Sequence, residues 1–443
     1  MTRGAHGALS RWRVPGVGAM SANLVARLLA LAALTCSSLI VARTLGPAGI
    51  GAFTLLRVMP WLTGVLLSGG LYGSAPYFLS GRAREDSAYR TTFPALAITA
   101  GFVGVAIWVA LSPVLQSEFF PQLSTVLLAA AGVTVLTQLL ETTAKACSQG
   151  VGDIAGSNRI IILEEALFPV LYLLLLRTGM GHYPAMVAAL AGGDVLTAGQ
   201  GWIRLFRRGF FAGSKPSFWH ARVIVSYGIR AELGSVALLL NGRLDFAILA
   251  AVAGPVQLGV YAVASRYSEL LRLPGLAMNY VLYPAYTALG PEKARASMVS
   301  ALRRLGWVPV AVAVPMAAAA PLVLPTAFGS AFRPAVVPAW VLLFGLAGCG
   351  VSGILMAYLY ASGRPGRVSG AQGLGLVVTV ILDLALIPRF GTTGAAVAST
   401  VAYLTTTLAL YGLFRATQNR LSNMASSPAG AHRSPGSSEE VLT

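Results

Sequence analysis

The sequence predicts an all-α polytopic membrane protein with about twelve transmembrane helices, arranged as two pseudo-symmetric six-helix lobes around a central cavity. Composition is the first reason, because the 443 residues are 56% hydrophobic and only 11% charged, whereas soluble chains carry about 25% charged residues. The second reason is the recurrence of apolar runs of about 20 residues, the length that crosses a bilayer. The third is an internal repeat that places six runs in each half of the chain.

The apolar runs follow one another through short connections, except across 207–222 and 290–304. The first run is longer than the apolar core of a signal peptide, so we interpret it as a retained helix. The predicted spans are 23–42, 51–78, 92–112, 123–146, 157–176, 183–204, 228–253, 257–286, 304–325, 336–360, 368–388 and 393–414. They define an N-terminal tail (1–22), an N-lobe (23–206), an inter-lobe loop (207–222), a C-lobe (223–414) and a disordered C-terminal tail (415–443).

Basic residues are distributed unequally between the two sides of the predicted helices. About twenty lie in the tails and loops of one side, and only Arg43, Arg177, Arg333 and Arg389 lie on the other. Because loops rich in Lys and Arg stay in the cytoplasm, both termini are predicted to be cytoplasmic. Topology therefore accounts for the net charge of +17, and no nucleic-acid partner is predicted.

A short motif occurs once in each half. Gly46–Phe53 joins spans one and two, Gly254–Tyr261 joins spans seven and eight, and both read G-P-x-x-x-G-x-aromatic at an offset of 208 residues. Since each half has an even number of spans, both halves enter the membrane from the same side. Two such halves that rock about a central site form an alternating-access transporter.

Arginines inside the predicted spans are the candidate substrate-binding residues. Arginine keeps its charge at membrane depth, and its planar fork of donors suits phosphate, so several guanidinium groups in one cavity would bind a diphosphate. For Arg27 and Arg57 the alternative is that the side chain snorkels to the membrane interface. For Arg243 and Arg266 it is an internal ion pair, and Glu269 lies three residues from both Arg266 and Arg272. The candidates are Arg27, Arg57, Arg243, Arg266 and Arg272.

Carboxylates at membrane depth either couple transport to protons or sodium ions or form structural pairs. Glu141 has Lys145 one turn later, which predicts a local ion pair. Glu164 and Glu165 point about 100° apart on a helix, so they cannot both face one cavity centre, and Asp245 is predicted to pair with another helix. The candidates are Glu141, Glu164, Glu165, Asp194, Asp245, Glu269 and Asp383.

No nucleophile–base pair, metal-ligand spacing or phosphate-cradling loop is present in the sequence. Cys36, Cys147 and Cys349 are far apart and are interpreted as packing residues. The sequence therefore predicts a transporter rather than an enzyme, with no cofactor and no metal site.

Three segments, 41–62, 243–274 and 361–400, resemble polysaccharide and O-antigen flippases of the multidrug/oligosaccharidyl-lipid/polysaccharide (MOP) exporter superfamily. The resemblance implies two lobes in a V around a cavity. It implies transfer of an undecaprenyl-diphosphate-linked oligosaccharide from the cytoplasmic to the periplasmic leaflet of a bacterial inner membrane, for polysaccharide such as O-antigen or exopolysaccharide. The implied partners are this lipid-linked substrate, membrane lipid, H⁺ or Na⁺ as coupling ion, and downstream polymerase or ligase machinery.

The segment 265–284 also resembles lipid II flippases, in which Arg266 would match a functional cavity arginine, while Arg27 and Arg57 match only by helix and approximate depth. Those proteins have two further C-terminal helices, which makes a lipid II substrate a weaker prediction. Asp383 stands where the family commonly has a neutral amide.

Two other functions compete with the flippase. An ion-coupled multidrug antiporter of the same fold would favour carboxylates over arginines, since its cargo is usually cationic. A membrane glycan polymerase or ligase would carry a large outer loop, and the outer loops here have about ten residues or fewer.

Overall fold

The computed structural model describes residues 17–80, 86–211, 215–241, 243–272, 286, 291–361 and 365–425. All regular structure within these residues is helical. The helices are α1 (Val17–Leu67), α2 (Leu71–Ser80), α3 (Ala88–Phe119), α4 (Thr125–Ala131), α5 (Val133–Gly150), α6 (Ile154–Arg177), α7 (His182–Arg207), α8 (Phe218–Asn241), α9 (Leu244–Glu269), α10 (Pro291–Leu305), α11 (Val308–Phe328), a 3₁₀ turn (Ser330–Ala335), α12 (Val336–Cys349), α13 (Ser352–Ala361) and α14 (Pro365–Ala425).

Seven helical segments of the described chain are long and apolar enough to cross a membrane. Ser21–Leu67 contains the first predicted span and most of the second, and Gly366–Ala416 contains the last two. Helices α6 and α7, with 24 and 26 residues, are also long enough to cross. The predicted polytopic, all-helical membrane architecture is confirmed. Helix α14 ends at Ala425, so the first part of the predicted C-terminal tail is helical.

Glycines with left-handed backbone join the paired spans. Gly46 (φ 66°), Gly254 (φ 82°) and Gly391 (φ 54°) interrupt α1, α9 and α14, and glycine adopts this conformation without a Cβ clash. In α9 the chain reverses there, because Arg243 and Glu269 lie 3.6 Å apart. The ends of a straight 26-residue helix would be about 39 Å apart. The turn predicted at Gly254 is therefore confirmed.

Several predicted spans are not continuous, and the fourth and tenth have short interruptions at 132 and 350–351. Span two breaks at Ser68–Gly70, where Gly69 and Gly70 have φ of 59° and 85°, and span seven ends as α8 at Asn241 before α9 begins at Leu244. At the break in span two, a Cβ on Gly70 would overlap the carbonyl carbon of Gly228. The glycines thus let the backbones of the α2 region and α8 touch, a contact that hydropathy does not reveal. Pro60 and Pro169 lie within α1 and α6, whereas Pro274 and Pro284 lie outside the described residues.

The helices form two groups. In the first, α1 packs on α6, and α5 packs on α3 and α7; in the second, α14 packs on α9, α12 and α13. The largest apolar core lies where α1 of the first group meets α9 of the second, and it contains Phe53, Phe168 and Tyr261. The three cysteines are free; Cys147 is buried and Cys349 half-buried, but Cys36 is exposed, so the packing role predicted for Cys36 is wrong.

The two copies of the repeated motif pack directly against each other, an arrangement we call the α1–α9 crossing. A Cβ on Gly51 would overlap the Pro255 carbonyl oxygen, and a Cβ on Gly259 would overlap the Pro47 carbonyl oxygen. The contacts are reciprocal, as expected if a pseudo-twofold axis relates the copies. Beside them, the Arg43 guanidinium donates hydrogen bonds to the carbonyls of Thr326 and Ala327 at the end of α11.

Candidate functional site

Four helices of the first group contribute a cluster of charged side chains, two of them buried and four half-buried. Arg57 on α1 donates to Glu165 on α6 over 2.6 Å, and Lys145 on α5 donates to Glu164 over 2.8 Å. Glu141 on α5 and Asp194 on α7 lie beside these pairs and are nearly inaccessible to solvent. The cluster therefore contains four carboxyl groups and two cations.

Arg266 connects the two groups of helices. From α9 its guanidinium donates to the hydroxyl groups of Ser38 and Thr54, which lie on opposite sides of the glycine that interrupts α1. Its guanidinium carbon is 5.3 Å from the ring centre of Phe53, and that of Arg57 is 5.6 Å from the same ring. Within the described residues, Arg266 forms no salt bridge with a carboxylate.

The second group supplies another pair close to Arg266. Arg243, at the start of α9, lies 3.6 Å from Glu269 near its end and 5.4 Å from the Phe246 ring. The charges of this pair and of the Arg57–Glu165 pair both act on Arg266. Three guanidinium groups thus converge between the helix groups. Two carboxylates lie at salt-bridge distance from them, and Glu164 and Asp194 also act on Arg57, so the described charges leave no positive excess.

A second polar site lies deeper in the second group. Asp245 accepts a 2.6 Å hydrogen bond from the Tyr261 hydroxyl, with the Ser399 hydroxyl 3.4 Å away. Asp383 on α14 is near enough for the charge of Asp245 to act on it. Its side chain is fully buried, and neither carboxyl oxygen has a hydrogen-bond partner among the described residues.

Comparison with known proteins relates this arrangement to a family. Residues 40–337, well over half of the chain, match the family described as polysaccharide biosynthesis protein. The chain belongs to the polysaccharide biosynthesis protein family. A Haloferax volcanii relative, described as a "probable low-salt glycan biosynthesis flippase", is 24% identical over 232 residues, which are 51% of this chain and 48% of that protein. The chain thus spans about half the length of this curated relative.

Solved structures share the fold of this family member. An inward-facing multidrug resistance transporter of the MOP superfamily aligns with a TM-score of 0.74 at 15% identity, over 90% of this chain and 99% of its own. A lipid II flippase in an inward closed conformation aligns with a TM-score of 0.70 at 12% identity, over 90% and 87%. The predicted MOP-like fold is confirmed.

Two of the ion pairs predicted from the sequence of this protein are wrong. Lys145 contacts Glu164 on the facing helix rather than Glu141 on its own helix, because α6 presents a carboxylate closer than the one a turn away. Glu269 contacts Arg243 rather than Arg266 or Arg272, because the reversal at Gly254 folds the start of α9 back beside its end.

Other predicted positions agree with the structure. Glu164 and Glu165 take different cations, as their divergence on the helix predicts. Asp245 contacts Ser399 on another helix, but its shorter bond is to Tyr261 within α9. Arg243 lies at a helix start rather than near the middle of an unbroken span.

Two of the five candidate arginines lie outside the convergent group. Arg27 is exposed and donates over 3.0 Å to Asn23, which in turn donates to Asn158. Arg272 lies over the Tyr403 ring at 5.1 Å. The structure thus brings together Arg57, Arg243 and Arg266.

Sequence reasoning did not identify the side chains that surround these charges. Phe53 and Tyr261 are the aromatic residues that end the two copies of the repeated motif, and their equivalence was the available signal. The Phe53 ring lies beside the guanidinium groups of Arg57 and Arg266. The Tyr261 hydroxyl donates to the Asp245 carboxylate. No local pattern indicated Ser38 or Thr54, because their role depends on a helix about 200 residues away in sequence.

Proposed function

We propose that this protein is a flippase that moves an undecaprenyl-diphosphate-linked oligosaccharide from the cytoplasmic to the periplasmic leaflet of a bacterial inner membrane, for polysaccharide biosynthesis. The observation that carries the proposal is the convergence of Arg57, Arg243 and Arg266, of which Arg266 has no carboxylate at salt-bridge distance among the described residues. A guanidinium group at membrane depth that has no carboxylate partner suits an anionic diphosphate. The family membership and the transporter fold support the same class of function.

The binding step follows from the state of each arginine. Among the described residues, Arg266 binds only neutral hydroxyl groups and an aromatic face, so a diphosphate gains a charged bond there without breaking a salt bridge between described residues. Arg57 and Arg243 lie in pairs whose second guanidinium donors remain for phosphate oxygens. The polyprenyl tail stays in the bilayer while the charged head enters the cavity, so the apolar tail is never transferred into water.

The α1–α9 crossing supplies one gate of an alternating-access cycle. Backbone touches backbone there, with no side chain between Gly51 and Pro255 or between Gly259 and Pro47, so this end is closed in the described conformation. Opening it requires the two lobes to separate along α1 and α9. Under the positive-inside orientation, this gate faces the periplasm.

For the coupling ion, Asp383 is the carboxylate we assign first. Both of its oxygens lack partners among the described residues and Asp245 is near, so a proton or a sodium ion would relieve two unfavourable conditions, an unpaired buried charge and like-charge repulsion. Of the other candidate carboxylates, Asp245 accepts from Tyr261, and the rest either have a cation at salt-bridge distance or lie in the cluster around Arg57. We therefore expect ion dependence to follow Asp383 and Asp245.

Deletion of the gene followed by complementation tests the flippase. Lipid-linked oligosaccharide should accumulate on the cytoplasmic leaflet of the deletion strain, and leaflet-selective enzymatic modification of oriented vesicles would detect it. The wild-type gene should clear it, whereas Arg57→Ala and Arg266→Ala should not. Arg177→Ala, an exposed arginine at the far end of α6, is the matched control and should behave as wild type, and thermal melting in detergent confirms that each variant is folded.

A multidrug antiporter is the second candidate, and the four carboxyl groups around Arg57 and Lys145 favour it, because they would suit a cationic cargo. If no lipid-linked intermediate accumulates and the deletion strain instead becomes sensitive to cationic dyes, the antiporter replaces the flippase. A third outcome, accumulation of an unpolymerised glycan on the periplasmic leaflet, would indicate a polymerase or ligase.

A further inference from the structure

Helix α10 has two chemically distinct faces. Ala294, Met298 and Ala301 are buried and belong to an apolar cluster with Ile354 and Tyr358 of α13. The rest of the helix surface carries exposed Lys293, Arg295, Arg303 and Arg304, with Arg303 opposite the buried face and the others at its flanks. The apolar face fixes the helix to the body of the protein, so the basic face must point away from it.

The basic face contains a groove of about 620 Å³, and the described residues that line it are Arg295, Ala296, Val299, Ser300, Arg303 and Arg304. Arginines stand at both ends of the groove, because positions four and eight residues apart lie on one helix face. A hydroxyl and an isopropyl group lie between them. Among the described residues that line it there is no carboxylate, and none of the three arginines forms a salt bridge within the described chain.

The position of the groove relative to a bilayer follows from what comes next in the chain. Trp307 is 63% exposed two residues after α10 ends, and α11 begins at Val308 within a segment apolar enough to cross a membrane. Exposed tryptophan is enriched at the level of lipid headgroups. The groove therefore opens at the height where phospholipid phosphates lie.

We propose that this groove binds the phosphate headgroup of an anionic phospholipid of the surrounding bilayer. The arginines bind the phosphate oxygens, Ser300 donates to the headgroup, and Val299 contacts the glycerol backbone. This site is separate from the cavity arginines and does not depend on the proposed flippase function. Its role is to fix α10, and through Met298 the base of α13 and α14, to the membrane surface during lobe movement.

The number of arginines in the groove determines how strongly an anionic phospholipid binds there. Each Lys or Arg near an anionic membrane surface contributes about 1 kcal/mol, so three arginines together change affinity by about a hundredfold. Binding should also weaken as salt is added, since exposed charges are screened beyond about 8 Å at physiological ionic strength.

Native mass spectrometry of the full-length protein released from nanodiscs of phosphatidylglycerol, and separately of phosphatidylcholine, tests the proposal. Wild-type protein should retain phosphatidylglycerol and not phosphatidylcholine. The variant R295Q/R303Q/R304Q should bind phosphatidylglycerol about a hundredfold more weakly, and each single substitution about fivefold more weakly. Because the three side chains are exposed, the substitutions leave the core intact, and R295K/R303K/R304K should keep most of the affinity.

The control R177Q/R333Q/R389Q removes the same charge from exposed arginines elsewhere and should bind phosphatidylglycerol as wild type does. Equal losses in both triple variants would mean non-specific attraction, and unchanged binding in R295Q/R303Q/R304Q would mean that lipid binds elsewhere; either result overturns the proposal. Competition with undecaprenyl diphosphate distinguishes the phosphate of a bilayer phospholipid from the diphosphate of the proposed substrate as the group that the groove binds. If that lipid alone binds the groove and phosphatidylglycerol does not, the groove belongs to the substrate path and the proposal is wrong.

Discussion

At the residue scale, the partner of each buried charge decides what that charge is free to do. Arg57, Lys145 and Arg243 each face a carboxylate, whereas Arg266 faces hydroxyl groups and Asp383 faces no hydrogen-bonding partner among the described residues. Burying a polar group without a partner costs about 1–3 kcal/mol, so such groups persist where they bind something. Arg266 and Asp383 are therefore the two residues on which binding and coupling most depend in our proposal.

Replacement of Asp383 by asparagine tests the coupling role. The amide keeps the shape of the side chain but removes the buried charge, so Asp383→Asn should leave the melting temperature equal or higher while transport in proteoliposomes loses its dependence on a proton or sodium gradient. The reason is that the carboxylate has no partner to lose among the described residues. A clear drop in melting temperature with unchanged ion dependence would show that the carboxyl group is structural.

At the element scale, single residues determine where helices begin and how closely they pack. Asp153 caps the start of α6 by accepting from the Gly156 amide at 3.0 Å, and Arg204 of α7 donates two hydrogen bonds to the same carboxylate. Burial raises the pKa of Asp153, but the bonds from Arg204 and Gly156 and the charge of Arg208 outweigh burial and lower that pKa below its usual range. One carboxylate thus joins the ends of two helices.

The Asp153 pairing predicts a pH-dependent stability. Because the pKa is lowered in the folded state, the carboxylate stabilises the protein at neutral pH, and this contribution is lost as pH falls below about 4. Asp153→Asn keeps a capping oxygen but loses the charge, so it should lower the free energy of unfolding by about 1.5–3 kcal/mol at pH 7. The difference from wild type should shrink at acid pH. Asp153→Ala should cost about 1 kcal/mol more by removing the cap, and a loss independent of pH would contradict the ion-pair account.

The close backbone contact at the α1–α9 crossing predicts that one added methyl group, at Gly259, opens the gate proposed there. Gly259→Ala would place a Cβ on top of the Pro47 carbonyl oxygen, so α1 and α9 must separate. Leu258 is fully buried beside it. In a background without the native cysteines, Leu258→Cys should react with a membrane-impermeant thiol reagent at least about tenfold faster when combined with Gly259→Ala, as a shift of about 1.4 kcal/mol gives.

The matched control for this gate is Gly199→Ala on α7, where an added Cβ meets no atom within 4 Å and labelling should not change. Gly51→Ala should reproduce the effect of Gly259→Ala, since the contacts are reciprocal. Equal labelling in all three backgrounds would mean that the crossing does not act as a gate.

At the scale of the whole molecule, the arrangement is two groups of helices joined through α1 and α9, with the convergent arginines beneath the crossing. Closure at one end and a charged site in the middle are the two requirements of alternating access. Which end faces the periplasm depends on the orientation of the whole chain, and the distribution of basic loops is the evidence for it.

Scanning with cysteine tests that orientation. In intact cells without native cysteines, Arg177→Cys and Arg389→Cys, both exposed positions, should react with an impermeant thiol reagent added outside. Arg207→Cys and Arg295→Cys should react only after the inner membrane is opened. The reverse pattern would place the termini outside and would make the α1–α9 crossing the cytoplasmic gate.

The sequence by itself determined the fold class, the repeated motif and the positions of the buried charges. These follow from local properties, because hydropathy over about 20 residues and the cost of a charge at membrane depth do not depend on the neighbouring helices. Only the tertiary structure decided the partners. Lys145 pairs with Glu164, and Glu269 pairs with Arg243, because helix rotation and the reversal at Gly254 set which side chains come within reach. The rotation of one helix against another depends on the packing of the whole chain, so a single segment of sequence does not determine it.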